Sequence, residues 1–428
     1  MLNPTQPYFY LLAYLTVLYI RPHEFVPGFI GLPILPVLLV SAFVFWLFRQ
    51  PKRFEAPQFW LVPVLMVAMS LSVAFTGWLT GGLNVLTDFA PVVMLFYMVA
   101  TSTDSLQRMR QIFLVLSACI TVIAWHGIDQ SIKGIGWTGA ELSQETRITY
   151  LGFLNDPNDL AMALVMVLPM ILQLARHFGL LLKLASLAAA GAVAYAVYLT
   201  NSRGSVLAMG AMLLLYGILR YGVMKSVIVL PILFAPLIAL GPSRMADMSA
   251  DEDSAEGRIE AWYEGVQLLI WRPLFGVGKG QFMEHNAGLT AHNSFVLAFA
   301  ELGMVGYFFW LSNIIISWLM LQRIVQTPAA AGASAEETAT WESIRENART
   351  LWYGYVGGLV SAFFLSRSYV VILYLHIALI VAIYQFARAQ RPDFPAITWA
   401  ERKGRMVAYT VGSVVAMWLL TRVLLAFT

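Results

Sequence analysis

The sequence predicts an all-α integral membrane protein: a polytopic bundle of about 12–13 transmembrane helices, with one large periplasmic loop region that contains a short amphipathic helix. Three observations predict it. The 428 residues are 59% hydrophobic and 12% charged, whereas a soluble domain runs at roughly 45–50% and about 25%. The apolar residues form runs that approach the roughly 20 needed to cross a bilayer core of about 30 Å. The lysines and arginines between those runs alternate in density, as membrane topology requires.

Taken in order, the expected spans are Tyr8–Ile20, Pro33–Phe48, Phe59–Phe75, Val85–Ala100, Gln111–Ala124, Leu160–Leu174, Leu180–Leu199, Ser205–Leu219 and Val227–Leu240. After a polar stretch come Phe295–Leu321, Leu351–Leu365, Tyr369–Phe386 and Met406–Phe427. The first run lacks a basic leader and a small-residue cleavage site, so it reads as a retained helix. All of residues 1–428 read as a single transmembrane domain. Cys119 is the only cysteine, which excludes an intrachain disulfide and a cysteine metal site. A net charge of +3 argues against a nucleic-acid partner. No 20–50-residue repeat is evident.

One set of alternating loops carries sixteen lysines and arginines, and the other carries nine over much longer stretches. This bias puts the N-terminus in the cytoplasm and the long loops outside. In a bacterium that is the periplasmic face of the inner membrane. Two outer loops are large, Asp129–Asp159 and Gly241–His292, and loops beyond about 12–15 residues are usually functional or disordered. Residues 241–292 are the candidate catalytic loop. Within it, Ile259, Trp262, Tyr263, Val266, Leu269 and Ile270 recur at helical spacing, and Arg272-Pro273 ends the pattern. This segment, Glu256–Trp271, reads as an amphipathic lid on the membrane surface. On the other side, residues 322–350 read as a cytoplasmic connector, flexible over Gln326–Thr340 where Ala, Ser, Thr and Glu dominate.

His292-Asn293 closes the polar stretch and opens a long apolar helix, where Asn293 or Ser294 can cap the first turn. Neutral imidazole there can take a proton from a sugar hydroxyl, and a helix N-terminus favours the neutral form. His177 and His376 read as structural, while His23, His126 and His285 face outward and stay open as candidates, although a loop histidine is usually just solvated. Arginines on the side that the charge bias disfavours need a reason. Arg203, in the turn Asn201-Ser202-Arg203-Gly204, reads either as a clamp on a lipid pyrophosphate or as a snorkelling cation paired with a carboxylate. Arg258 shares a helix face with Trp262, a pairing that suits a phosphate joined to a sugar, although taken alone it reads first as a surface salt bridge with Glu256 or Glu260. Arg147 and Arg367 are weaker candidates of the same kind. Glu301, nine residues beyond His292, faces roughly the opposite way and reads as half of a structural ion pair. Asn155-Asp156-Pro157-Asn158-Asp159 is an ordinary helix cap before it is a metal site. Gly276-Val277-Gly278-Lys279-Gly280 follows a proline outside the membrane, without the strand–turn–helix setting of a nucleotide loop.

In combination, several motifs resemble the bacterial O-antigen ligase and polysaccharide polymerase superfamily. They are Tyr19-Ile20-Arg21-Pro22, Gly152-Phe153-Leu154-Asn155-Asp156-Pro157, Asn201-Ser202-Arg203-Gly204, Gly257-Arg258 with Trp262, Pro273-Leu274-Phe275-Gly276-Val277-Gly278, and His292-Asn293-Ser294 with Glu301-Leu302-Gly303. The resemblance implies a metal-independent membrane glycosyltransferase without a cofactor. Its donor would be a glycan on undecaprenyl pyrophosphate, with Arg203 and Arg258 on the pyrophosphate and His292 activating the acceptor hydroxyl. The acceptor would be a growing exopolysaccharide or O-antigen chain for a polymerase, or lipid A core or a protein for a ligase. A flippase or transporter is a further alternative, but it would carry charges deep in many helices, and here the polar residues gather in one outer loop. A thirteenth span would put the C-terminus outside, where about twelve helices are usual for such proteins.

Overall fold

The structure is a computed structural model that describes residues 7–48, 52–228 and 252–426. It is a polytopic all-α membrane protein. The helices are α1 (Pro7–Ile20), α2 (Pro22–Phe25), α3 (Ile34–Leu47), α4 (Gln58–Ala74) and α5 (Leu79–Ser102). Next come α6 (Leu106–Lys133), α7 (Pro157–Leu174), α8 (Leu180–Leu199), α9 (Arg203–Tyr221) and α10 (Glu252–Trp271). The remainder are α11 (Phe282–His285), α12 (Ser294–Gln326), α13 (Ala335–Phe363), α14 (Val371–Gln390) and α15 (Trp399–Leu425). Among the described residues, eight helices are long and apolar enough to cross a membrane, and α1, α3 and α4 are shorter apolar helices. The expected span Val227–Leu240 and the start of the loop at Gly241 lie almost wholly outside the described residues.

Several helices overrun their sequence-predicted spans, the sixth and the thirteenth by the most. The sixth runs from Leu106 to Lys133 because Ser105 caps its start and no helix-stopping residue comes before Gly134, which takes φ 81°. The thirteenth begins at Ala335, inside the stretch read as a connector, so residues 335–350 are helical. A capping box starts it: Glu337 accepts from the Ser334 amide at 2.8 Å, and the Ser334 hydroxyl accepts from the Glu337 amide at 3.2 Å.

The chain divides into two compact units. Unit 1 comprises Met1–Lys52, Met98–Asp247 and Pro328–Ser361. At its centre α7 is buried along nearly its whole length and packs on α6, α8 and α9. Gly357 and Gly358 bring α13 against α7, where a Cβ would come within 2.6 Å of Val165 and 2.7 Å of Met166. The outer connection after α6 is irregular but pinned. Gln130 donates to the carbonyls of Ala140 and Glu141 and accepts from the Thr149 amide at 2.9 Å. Two motifs meet here as well. Gly152 leaves room for the Arg21 guanidinium, Tyr19 and Phe153 meet edge-on at 5.5 Å, and the Tyr150 hydroxyl donates to the Ile20 carbonyl at 2.8 Å.

Unit 2 comprises Arg53–Tyr97, Met248–Thr327 and Ala362–Thr428, and α12 is its hub, packed on α4, α10, α14 and α15. This helix is broken at Gly303, whose φ of 63° and ψ of −170° are open only to glycine. Backbone from the loop that follows α10 fills the break. Val277 and Gly278 amides donate to the carbonyls of Ala300 and Glu301, both at 3.0 Å. Met304 and Val305 amides donate to the carbonyls of Pro273 and Leu274 at 2.8 and 3.2 Å. A Cβ on Gly303 or on Gly276 would lie 2.4 Å from opposing backbone. The loop is anchored on α4 too, through the Phe75–Phe275 stack at 4.2 Å and the bond from the Lys279 amide to the Ser72 hydroxyl at 3.1 Å.

Gly303→Ala is therefore expected to cost about 2 kcal/mol or more, from the forbidden backbone region together with the clash. Gly404→Ala is the control, since nothing lies within 4 Å of a Cβ there. Residual monodisperse protein after heating in detergent measures both, and equal thermal stability of the two variants would contradict the splice.

Candidate functional site

The local fold of unit 2 fixes the start of α12 from several directions. Asn293 is its N-cap, with Oδ1 accepting from the Phe295 and Val296 amides at 2.9 and 3.2 Å. His292 precedes the cap in the left-handed region, with φ 47°, a conformation that is uncommon for residues other than glycine, although His, Asn and Asp adopt it more readily than most. It is held there by its own amide, which donates to the Ser366 hydroxyl at 2.8 Å, and Ser366 donates on to Thr290 at 3.1 Å. Ser294 and the 365–368 segment are cross-braced. The Ser294 hydroxyl donates to the Leu365 carbonyl at 2.6 Å and accepts from the Arg367 amide at 2.9 Å. Ser368 donates to the Ser294 carbonyl at 2.7 Å. Asn293 and Ser294 are fully buried, His292 is half-buried and Arg367 is exposed.

Helix α10 arrives beside this start. Gly265 makes the approach possible, because a Cβ there would meet Val296 at 2.3 Å. Trp262 packs edge-on to Phe363 at 5.6 Å, and Phe363 touches Phe295 of α12 at 6.2 Å. Arg258, half-buried, stands one turn before Trp262 on the same face. Two buried donors of this region have no hydrogen-bond partner among the described residues, the Trp262 indole N–H and the Asn293 side-chain amide. Buried polar groups are nearly always satisfied, so an orphan pair beside a strained histidine marks a place where acceptors are missing.

Glu301 is buried in the first segment of α12, just before the break. The ion pair expected from the sequence is not formed at contact distance among the described residues. Its carboxylate faces the backbone amides of Gly280 and Phe282, the Tyr369 hydroxyl and, farther off, the Lys279 ammonium. One carboxylate oxygen and the Tyr369 hydroxyl both fall outside strict hydrogen-bond geometry. Lys279 lies over the Tyr369 ring at 6.0 Å. The broken helix supplies the reason: the inserted loop offers amides to the acid where a cation was expected.

In unit 1, Arg203 is the first residue of α9, after Asn201 at φ 51° and the N-cap Ser202. Arg147 is nine-tenths buried and holds this turn. Its Nε donates to the Thr200 carbonyl at 2.8 Å, and a terminal nitrogen donates to Asn158 Oδ1 at 2.8 Å. Arg147 is thus a brace between the α8–α9 turn and the start of α7. Asp156 caps α7, accepting from the Asn158 and Asp159 amides at 2.8 and 3.4 Å, so that turn is a helix cap. No group of His, Cys, Asp or Glu with metal-ligand geometry occurs among the described residues. Ser366 and Ser368 escaped the sequence reading, although two serines flanking Arg367 were the available signal.

The cap gives a test. Asn293→Ala should lower stability by about 1 kcal/mol, whereas Asn293→Asp keeps the acceptor and should retain it. Thermal unfolding in detergent reads both, and equal losses would remove Asn293 from the frame of His292.

Residues 184–311 match the family described as O-antigen ligase. The matched stretch contains Arg203, Arg258, Trp262, His292, Asn293 and Glu301, and leaves Arg147 and Arg367 outside. No curated protein matches the chain. The match covers His292, its cap and the break at Gly303 alike, and over this stretch the chain is similar to the O-antigen ligase family.

Proposed function

We propose that this protein is a glycosyltransferase that takes a glycan from undecaprenyl pyrophosphate and joins it to a sugar acceptor on the periplasmic face of the inner membrane, extending a cell-surface polysaccharide. His292 is the general base. It removes the acceptor hydroxyl proton as that oxygen attacks the anomeric carbon, and the bond to the pyrophosphate oxygen breaks with its electron pair leaving on the lipid pyrophosphate. Arg258 and Arg203 are assigned to the pyrophosphate oxygens, where guanidiniums stabilise the charge that accumulates on the leaving group without a divalent ion. The observation that carries the reading is the pair of orphan donors, Trp262 Nε1 and Asn293 Nδ2, beside the strained His292. A pyrophosphate and a sugar ring supply the acceptors they lack.

The test uses purified protein with a lipid-pyrophosphate-linked repeat unit as sole substrate. Wild type should build a ladder of longer lipid-linked chains, in EDTA as in its absence. His292→Ala should lose it by about a hundredfold or more, the usual range for a removed general base, while remaining monodisperse. Arg258→Ala should weaken donor use about tenfold, the loss of one charge-assisted hydrogen bond. Full activity of His292→Ala would remove the base assignment. Transfer that depends on His292 and occurs only when lipid A core or an acceptor protein is added would make the protein a ligase.

A further inference from the structure

Unit 1 contains a cavity of about 310 Å³ far along the chain from the histidine, between the C-terminal end of α7, the second half of α9 and the first half of α13. Its walls differ in kind. Leu172 and Leu213 are about 40% exposed and form an apolar flank with buried Met212. Opposite them α13 passes from the charged run Glu342, Arg345, Glu346 and Arg349 to the apolar run that begins at Leu351. The cavity also sits towards the C-terminal ends of α7 and α9, both long and apolar enough to cross a membrane, where Arg176 and Arg220 follow the apolar runs, and such a change marks the level of the lipid head groups.

The cavity's charges are unequally committed. Glu346 is held by Arg176 at 3.3 Å and lies 3.7 Å from His177, and Glu342 is paired with Arg345. Arg349, half-buried, has no carboxylate partner among the described residues. Its neighbours are Tyr353 and the Thr350 hydroxyl, and the latter is turned back to the Glu346 carbonyl at 3.1 Å. The second observation is independent of charge. Gln173 is 6% exposed and lines the same cavity, yet its side-chain oxygen accepts no hydrogen bond from any described residue. A buried amide oxygen left bare costs on the order of 1–3 kcal/mol. Such a site lacks one anion and one hydrogen-bond donor, and it lies against an apolar flank at head-group depth.

We propose that this cavity binds a phospholipid, with Arg349 on the phosphodiester, a donor in the head group on Gln173 Oε1, and an acyl chain along Leu172, Met212 and Leu213. The head must carry an N–H or O–H, as ethanolamine and glycerol heads do and choline does not. The cavity volume matches a head group with its glycerol rather than a whole lipid, so the chains lie outside in the bilayer. Nothing in this assignment depends on the transferase reading.

Native mass spectrometry of the delipidated full-length protein tests it, with dioleoyl phosphatidylethanolamine, phosphatidylglycerol and phosphatidylcholine titrated separately. Wild type should retain one lipid of the first two kinds more tightly than phosphatidylcholine, about tenfold for one hydrogen bond recovered by a buried acceptor. Arg349→Ala should weaken that lipid about tenfold for all three kinds. Gln173→Leu should abolish the preference over choline and spare the rest. If Arg349→Ala does not survive purification, the Gln173→Leu comparison decides alone, since leucine suits a buried position. Equal binding of the three lipids by wild type, or unchanged binding in both variants, overturns the proposal. Glycerophosphoethanolamine without acyl chains should bind far more weakly, and equal affinity would overturn the assignment to a lipid.

Discussion

A helix inside a membrane cannot be interrupted without providing for the backbone groups that the interruption frees, because no water is present to receive them and each unmatched group costs several kcal/mol. The break in α12 at Gly303 meets that demand with backbone alone. Two amides and two carbonyls of the segment from Pro273 to Gly278 pair with their complements at 300–305. Much of unit 2 follows from this join. It fixes where α10 must end, since Arg272-Pro273 leads directly into the inserted loop. It brings the Gly280 and Phe282 amides to Glu301. It also leaves the residues from Ser294 to Leu302 as a short leading segment of α12, whose first turn can be set by the loop at 365–368.

The restraint on His292 is likewise a matter of main chain. A residue at φ 47° lies on the order of 1–3 kcal/mol above its relaxed geometry, so the conformation persists only where its surroundings over-determine it. The Asn293 cap contributes about 1 kcal/mol. The bonds of Ser294, Ser366 and Ser368 are neutral and worth about 0.5–1.5 kcal/mol each, so several together exceed the strain. Unit 1 treats Arg203 in a similar way, with the guanidinium of Arg147 on the Thr200 carbonyl steadying the turn just before it. In both units a rigid backbone presents the residue to which the resemblance assigns chemistry.

What the sequence disclosed and what it concealed divide along physical lines. Most apolar runs among the described residues, the Asp156 and Asn293 caps, and the helical spacing of Ile259, Trp262 and Val266 are local signals, and they read correctly. The length of α13 was local too, since Ser334-Ala335-Glu336-Glu337 is a capping box; the Ala- and Thr-rich composition obscured it. The splice was not legible, because its hydrogen bonds join backbone to backbone across more than twenty residues and leave in the sequence only Gly276 and Gly303. Those glycines stood in motifs whose order was recognisable while their purpose was not. Arg147 was opaque for another reason. A guanidinium that serves a backbone carbonyl and one that serves a phosphate have the same sequence signature, and only the position of Thr200 separates them.

The same contrast bears on the unmatched donors. Around the break in α12 the freed backbone groups just described find complements. Trp262 and Asn293 of the same unit each keep a buried N–H without a partner among the described residues. They share one polarity: both are donors, and Arg258 on the adjoining turn adds more. A site made of donors, beside an imidazole that can accept a proton, is complementary to a ligand made of oxygen acceptors with one hydroxyl to give up. Phosphate esters of sugars have that composition, whereas a cation pathway would need carbonyls and carboxylates in the same place. The chemistry proposed for this end of α12 thus draws on the sign of these unmatched groups as well as on the histidine.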